Sequence, residues 1–147
     1  MRAIRKLALA SLIAAMSIAA SAGGALADSR MFVAHLYGGN EVPAAGDPNA
    51  FGIATVVRFN ATVLCYSIIL VNAAGATAAH IHPGAAGVAG APIVTLPVGA
   101  AVTIRNAGCV GGLAAATVAA IRANPQNFYV NVHNAAFPGG AARGQLQ

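Results

Sequence analysis

From residue 31 onward, apolar and polar positions alternate in short runs separated by glycine, proline and asparagine. Residues 31–37 (Met-Phe-Val-Ala-His-Leu-Tyr) read as a strand stopped by Gly38-Gly39-Asn40. A turn-rich stretch follows from Pro43 to Asn49. Over 51–59, Phe51, Ile53, Thr55, Val57 and Phe59 then share one face, and Gly52, Ala54, Val56 and Arg58 the other. A period of two marks a strand with one buried face. Residues 62–71 are apolar and β-branched, which suits a central strand, and Asn60-Ala61 between the two runs reads as a tight hairpin.

The second half continues in shorter pieces. Residues 77–82 read as a strand ended by Pro83-Gly84, with a Gly/Ala loop to Gly90. Strands are expected over Pro92–Leu96 and 100–104. Residues 112–123 are alanine-rich, with Leu113, Thr117, Ala120 and Ile121 at helical spacing, and Asn124-Pro125 stops that helix. Phe128–His133 form a strand, Pro138-Gly139-Gly140 a turn, and 142–147 a final strand. Short strands at regular intervals predict a mainly β fold: a single antiparallel β-sandwich or small barrel with one short helix near 112–123.

The N-terminus follows another pattern. Met1-Arg2-Ala3-Ile4-Arg5-Lys6 is basic, Leu7 to about Ala20 is apolar, and Ala25-Leu26-Ala27 precedes Asp28. These are the three parts of a cleavable secretory signal over 1–27. An uncleaved membrane anchor is the competing reading. The run is broken by Ser11 and Ser17 and falls short of the about 20 apolar residues of a span. The expectation is one β domain over 28–147, exported to the periplasm or beyond the cell, with no membrane span after cleavage.

Cleavage changes the charge. Arg2, Arg5 and Lys6 depart with the signal, leaving Arg30, Arg58, Arg105, Arg122 and Arg143 against Asp28, Glu41 and Asp47, so the net charge falls from +5 to +2. The arginines are scattered, without the clustered cations that nucleic-acid binding requires, so no nucleic-acid partner is expected. Cys65 and Cys109 are the two cysteines. In an oxidising compartment an isolated pair forms a disulfide; without C-x-x-C spacing, a thiolate metal ligand or redox pair is the weaker alternative.

The segment richest in chemistry is Ala79-His80-Ile81-His82-Pro83-Gly84. In a strand, i and i+2 point the same way, so His80 and His82 present two imidazoles on one face. Imidazole suits copper and zinc. His133 ends a later strand in which Tyr129, Asn131 and His133 share a face, and His35 lies in the first strand. The four histidines are candidate metal ligands; the alternative is that they bond strands together or line a metal-free polar pocket. Metal affinity would fall below the imidazole pKa of roughly 6.5.

Acid–base chemistry is poorly supplied, and no catalytic residue is assigned. Glu41 and Asp47 do not form a paired-carboxylate motif. No serine stands in a G-x-S-x-G elbow, and there is neither a G-x-G-x-x-G after a strand nor a P-loop. Glu41 reads either as functional or as a loop carboxylate accepting backbone amides. Arg143 reads either as an anion attractor beside the histidines or as the partner of a carboxylate such as Glu41. Phe128-Tyr129 reads as core packing.

Taken together, these segments resemble the CHRD (chordin-type) domain, in its single-domain exported bacterial form. The resemblance rests on Leu36-Tyr37-Gly38-Gly39-Asn40-Glu41-Val42-Pro43, Leu64-Cys65-Tyr66, Ala79-His80-Ile81-His82-Pro83-Gly84-Ala85-Ala86-Gly87-Val88, Asn124-Pro125, Phe128-Tyr129-Val130-Asn131-Val132-His133-Asn134 and Pro138-Gly139-Gly140-Ala141-Ala142-Arg143-Gly144-Gln145-Leu146. It implies an extracellular or periplasmic β-sandwich or barrel, and no settled activity. A weaker similarity is to Cu,Zn superoxide dismutase, in which an H-x-H pair, a late-strand histidine and a C-terminal arginine would correspond to His80, His82, His133 and Arg143. The loop after His82 lacks the histidines and aspartate of a zinc site, and the bridging histidine is missing. Three functions follow as expectations: a non-enzymatic exported domain binding a transition metal, copper first; a structural or interaction module contacting an envelope or matrix protein without metal; and an oxidoreductase resembling superoxide dismutase.

Overall fold

The glycine stop after Tyr37 and the loop over 59–63 fold the first apolar runs into an antiparallel meander, and the later runs extend it. The computed structural model describes residues 30–73, 75–99 and 104–147. The strands are β1 (Met31–Tyr37), β2 (Phe51–Arg58), β3 (Leu64–Val71), β4 (Ala76–Pro83), β5 (Val94–Leu96), β6 (Ile104–Val110), β7 (Phe128–Asn134) and β8 (Ala142–Gln145), and α1 spans Ala115–Ala123. They form one antiparallel sheet in the order β5-β4-β7-β8-β1-β2-β3-β6. Its edges, β5 and β6, approach one another, so the sheet is a nearly closed barrel. The Tyr66 hydroxyl on β3 donates to the carbonyl of Pro97, tying the two sides of the gap. The proposed signal over 1–27 and residues 100–103 of the expected strand over 100–104 lie outside the described residues.

The interior explains the alanine content. A small barrel leaves room only for side chains, and here Ala34, Ala54, Ala76, Ala79 and Ala142 interleave with Phe32, Leu36, Leu64, Ile68, Leu70, Ile81 and Val130. In β2 the buried face is accordingly the small one, Ala54 and Val56, while Phe51 and Phe59 turn to solvent. Val118 and Ile121 of α1 join the same core.

Two sequence expectations are corrected, and a third is extended. The helix begins at Ala115 rather than 112, because Gly112 takes a φ of 72°, which interrupts a right-handed helix. Its inward positions are Val118 and Ile121, and Ala120 is exposed. Beyond Ile104, where the strand expected over 100–104 was to end, the chain stays extended to Val110. This stretch, Ile-Arg-Asn-Ala-Gly-Cys-Val, has no alternation to announce it. It is held through pairing with β3, where Tyr66 lies over Gly108 and Cys65 opposes Cys109 in a disulfide.

β4, β7 and β8 lie side by side, and their register sets the site. His80 opposes Asn131, His82 opposes Tyr129, and Ala78 opposes His133. Asn131 in turn opposes Arg143, and Tyr129 opposes Gln145. Because Ala79, Ile81, Val130, Val132 and Ala142 point into the core, alternation sends the histidines, Tyr129, Asn131 and Arg143 to the outer face.

Candidate metal centre

On that outer face three imidazoles converge. The ligand atoms of His80, His82 and His133 all lie within 4.8 Å of one another. Such atoms share a point no more than about 3 Å from each, so a metal–nitrogen bond of about 2.0–2.1 Å needs the rings to draw in by about 1 Å or less. The ring centroids are 5.6 Å apart for His80–His82, 5.1 Å for His80–His133 and 6.3 Å for His82–His133.

Hydrogen bonding fixes which nitrogens are free. His82 Nδ1 lies 2.8 Å from the Gly90 carbonyl, and His133 Nδ1 lies 3.0 Å from the Pro138 carbonyl. A carbonyl only accepts, so both Nδ1 atoms carry the proton in the neutral ring and both Nε2 atoms carry a lone pair. These two Nε2 atoms and His80 Nδ1 are buried without any hydrogen-bond partner. A ring anchored by N–H to a carbonyl, with its other nitrogen presented bare, is the arrangement that orients metal-ligating histidines.

Burial also favours the neutral form. It holds the pKa of His80 below the usual imidazole value, with the charges of His133 and His82 acting in the same direction. For His82 burial is again the largest cause; the Gly90 bond opposes it, and His133 and Arg143 add to it.

The surroundings brace His82. Its ring stacks on Tyr129 with centroids 4.8 Å apart and planes 9° from parallel. Arg143, from the strand on the other side of Tyr129, places Cζ 3.4 Å from the same ring's centroid. The Gly90 amide donates to the Tyr129 hydroxyl at 3.1 Å, so one loop residue serves both Tyr129 and His82. Arg143 Nη2 donates to the carbonyls of Ala85 at 3.0 Å and Val88 at 2.7 Å, pinning the loop after Pro83 over the sheet.

The structure places the sequence-nominated residues as follows. His80, His82 and His133 come together; His35 is exposed on β1 and stands outside the group. Arg143 is buried and donates to loop carbonyls and Gln145, and its charge also acts on the Glu41 carboxyl. Glu41 is buried too, and accepts from Asn131 Nδ2 at 3.3 Å rather than from backbone amides. Phe128 packs inside the barrel, and Tyr129, also buried, lies on the other face of β7 in the stack with His82. Sequence reasoning missed Tyr129, Asn131 and the Gly90 and Pro138 carbonyls. The Tyr129–Asn131–His133 alternation was the available signal for the first two.

Glu41 supplies a measurable consequence. Burial pushes its carboxyl up to about 7, against the opposing effects of Arg143 and the Asn131 bond. The folded state thus binds a proton that the unfolded chain has released, and stability drains away as pH rises from about 4.5 to about 7. A glutamine side chain at this position has no such titration. In urea unfolding, the stability of Glu41→Gln relative to the native protein is expected to improve by on the order of 2 kcal/mol between pH 4 and pH 8, with solvent screening allowed for.

These observations define a small antiparallel β-barrel domain with three bare imidazoles on its outer face. The chain belongs to the CHRD domain family, whose model matches residues 32–146. No curated protein and no solved structure gives a significant match.

Proposed function

We propose that this CHRD domain is an exported, non-enzymatic protein that binds one transition-metal ion, copper first, through His80 Nδ1, His82 Nε2 and His133 Nε2. The observation that carries the reading is that three imidazoles come together, each with a buried nitrogen lacking a hydrogen-bond partner, two of these nitrogens fixed as lone-pair donors by carbonyls behind their rings. The group contains no carboxylate or thiolate. Imidazole suits copper and zinc, and divalent copper heads the affinity order of the first-row ions. Export is supported by the N-terminal pattern and by the Cys65–Cys109 disulfide, which persists in oxidising compartments. No helix among the described residues is long and apolar enough to cross a membrane.

Electron paramagnetic resonance of the copper(II)-loaded protein tests the ligand set. Coupling to three imidazole nitrogens is expected, falling to two in His133→Ala. A spectrum unchanged by that substitution would remove His133 from the site.

A second reading is favoured by another surface. Tyr37 and Phe51 oppose each other on the outer side of β1 and β2, and with Met31 they are 50%, 48% and 60% exposed. Apolar side chains so placed suit a protein-interaction module. Loss of partner capture in Tyr37→Ser/Phe51→Ser, with no copper bound by the native protein, would favour this reading over the metal. The oxidoreductase reading draws on the three imidazoles and Arg143; absence of superoxide turnover in a copper-loaded sample would eliminate it.

A further inference from the structure

Six buried side-chain polar atoms among the described residues lack a hydrogen-bond partner: the three imidazole nitrogens, Asn131 Oδ1, Glu41 Oε1 and, elsewhere, Arg58 Nε. Native proteins leave few such atoms, and an unplaced ion or water is a common reason. A metal accounts for the three nitrogens. Asn131 Oδ1 still needs a donor.

Its neighbours do not supply one. Asn131 opposes His80 across the β4–β7 ladder and precedes His133 by two residues on the same face. Yet the N–H groups of His82 and His133 are committed to Gly90 and Pro138, Arg143 Nη2 donates to loop carbonyls and Gln145, and neither His80 nor Arg143 makes a hydrogen bond to Oδ1. Above pH about 7, where Glu41 is ionised, turning the amide would set Oδ1 against a carboxylate oxygen, so Nδ2 stays on Glu41 Oε2 at 3.3 Å. Three imidazoles, moreover, leave at least one position open on the metal, whether copper(II) in a tetragonal field or a tetrahedral zinc.

We propose that the fourth coordination position holds a water molecule, or another small hydroxylic ligand, that donates a hydrogen bond to Oδ1 of Asn131, with Glu41 fixing the orientation of the amide. The inference rests on the metal reading above and deepens it by naming the ligand class of the open position. Asn131 is a positioning residue: it holds the exchangeable ligand without touching the metal. Ligands able to donate a hydrogen bond are retained there, and bare anions are disfavoured because they must displace that ligand and then face the amide oxygen.

Azide titration of the copper(II)-loaded protein tests this, because azide can ligate copper but cannot donate to Asn131. In Asn131→Leu, which keeps the shape and removes the acceptor, azide affinity should rise about tenfold, the worth of one net hydrogen bond. Copper stoichiometry should remain at one. Asn131→Val is a second variant suited to a strand, should the leucine protein fail to fold. Structural damage would weaken both metal and azide, so tighter azide with unchanged copper binding isolates the positioning role. Equal azide affinity in native and variant proteins, each holding one copper, overturns this inference alone. A native protein that takes up no copper overturns the metal reading and this inference with it.

Discussion

Alanine at both His80 and His82 lowers copper affinity by about a thousandfold or more while leaving the barrel folded. The size follows from removing two of three ligands, since disturbing even a hydrogen bond behind a ligand costs about 10–100-fold. The fold survives because both rings lie on the outer face, whereas Ala79 and Ile81 of the same strand carry its core contacts. The structural cost is limited to the stack on Tyr129, about 0.5–1.5 kcal/mol, and the His82 bond to the Gly90 carbonyl, about 0.5–1.5 kcal/mol net. Calorimetry for affinity and circular dichroism for folding separate the two effects. His35→Ala is the matched control, expected to leave affinity unchanged because His35 is exposed outside the group. In the native protein, protonation of His80 and His82 should cost affinity only below the ordinary imidazole pKa of roughly 6.5, because burial holds both rings deprotonated past it.

The second large effect concerns stability. Cys65→Ser/Cys109→Ser is expected to cost roughly 4 kcal/mol and to lower Tm by roughly 10–20 °C. The bond joins residues 44 apart in sequence, and closing a loop of that length removes considerable freedom from the unfolded chain. The loss should concentrate at β6. This edge strand pairs with β3 alone, and its apolar supply is thin, with Arg105, Asn106 and Gly108 in its middle. Hydrogen exchange should therefore lose protection first over residues 104–110, while β7 and β8 stay protected. Uniform loss along the chain would show that the disulfide acts on the whole barrel and not through its edge.

The sequence disclosed much of this architecture, for reasons visible in individual residues. β1 runs Met31–Tyr37 as the alternation indicated, because the Gly-Gly-Asn stop admits no extension. β4 and β7 were legible from His80-Ile81-His82 and Phe128–His133, where apolar inward residues alternate with polar outward ones. β6 was hidden because tertiary pairing and a cross-strand disulfide, not its own pattern, hold it extended. The buried side of β2 was also unforeseeable: alternation fixes two faces, but only the narrow interior selects the small one. At the site, H-x-H spacing placed two imidazoles together, and only strand order could bring in His133 and leave His35 out. The carbonyls of Gly90 and Pro138 had no signature at all, since a backbone acceptor depends on loop path alone.

One titration tests the central claim most directly: copper(II) added by calorimetry at neutral pH to the purified chain from Asp28 to Gln147. One tight equivalent, absent in the His80→Ala/His82→Ala protein, is the predicted result. No heat of binding from the folded native domain, or equal affinity in the double variant, would contradict it.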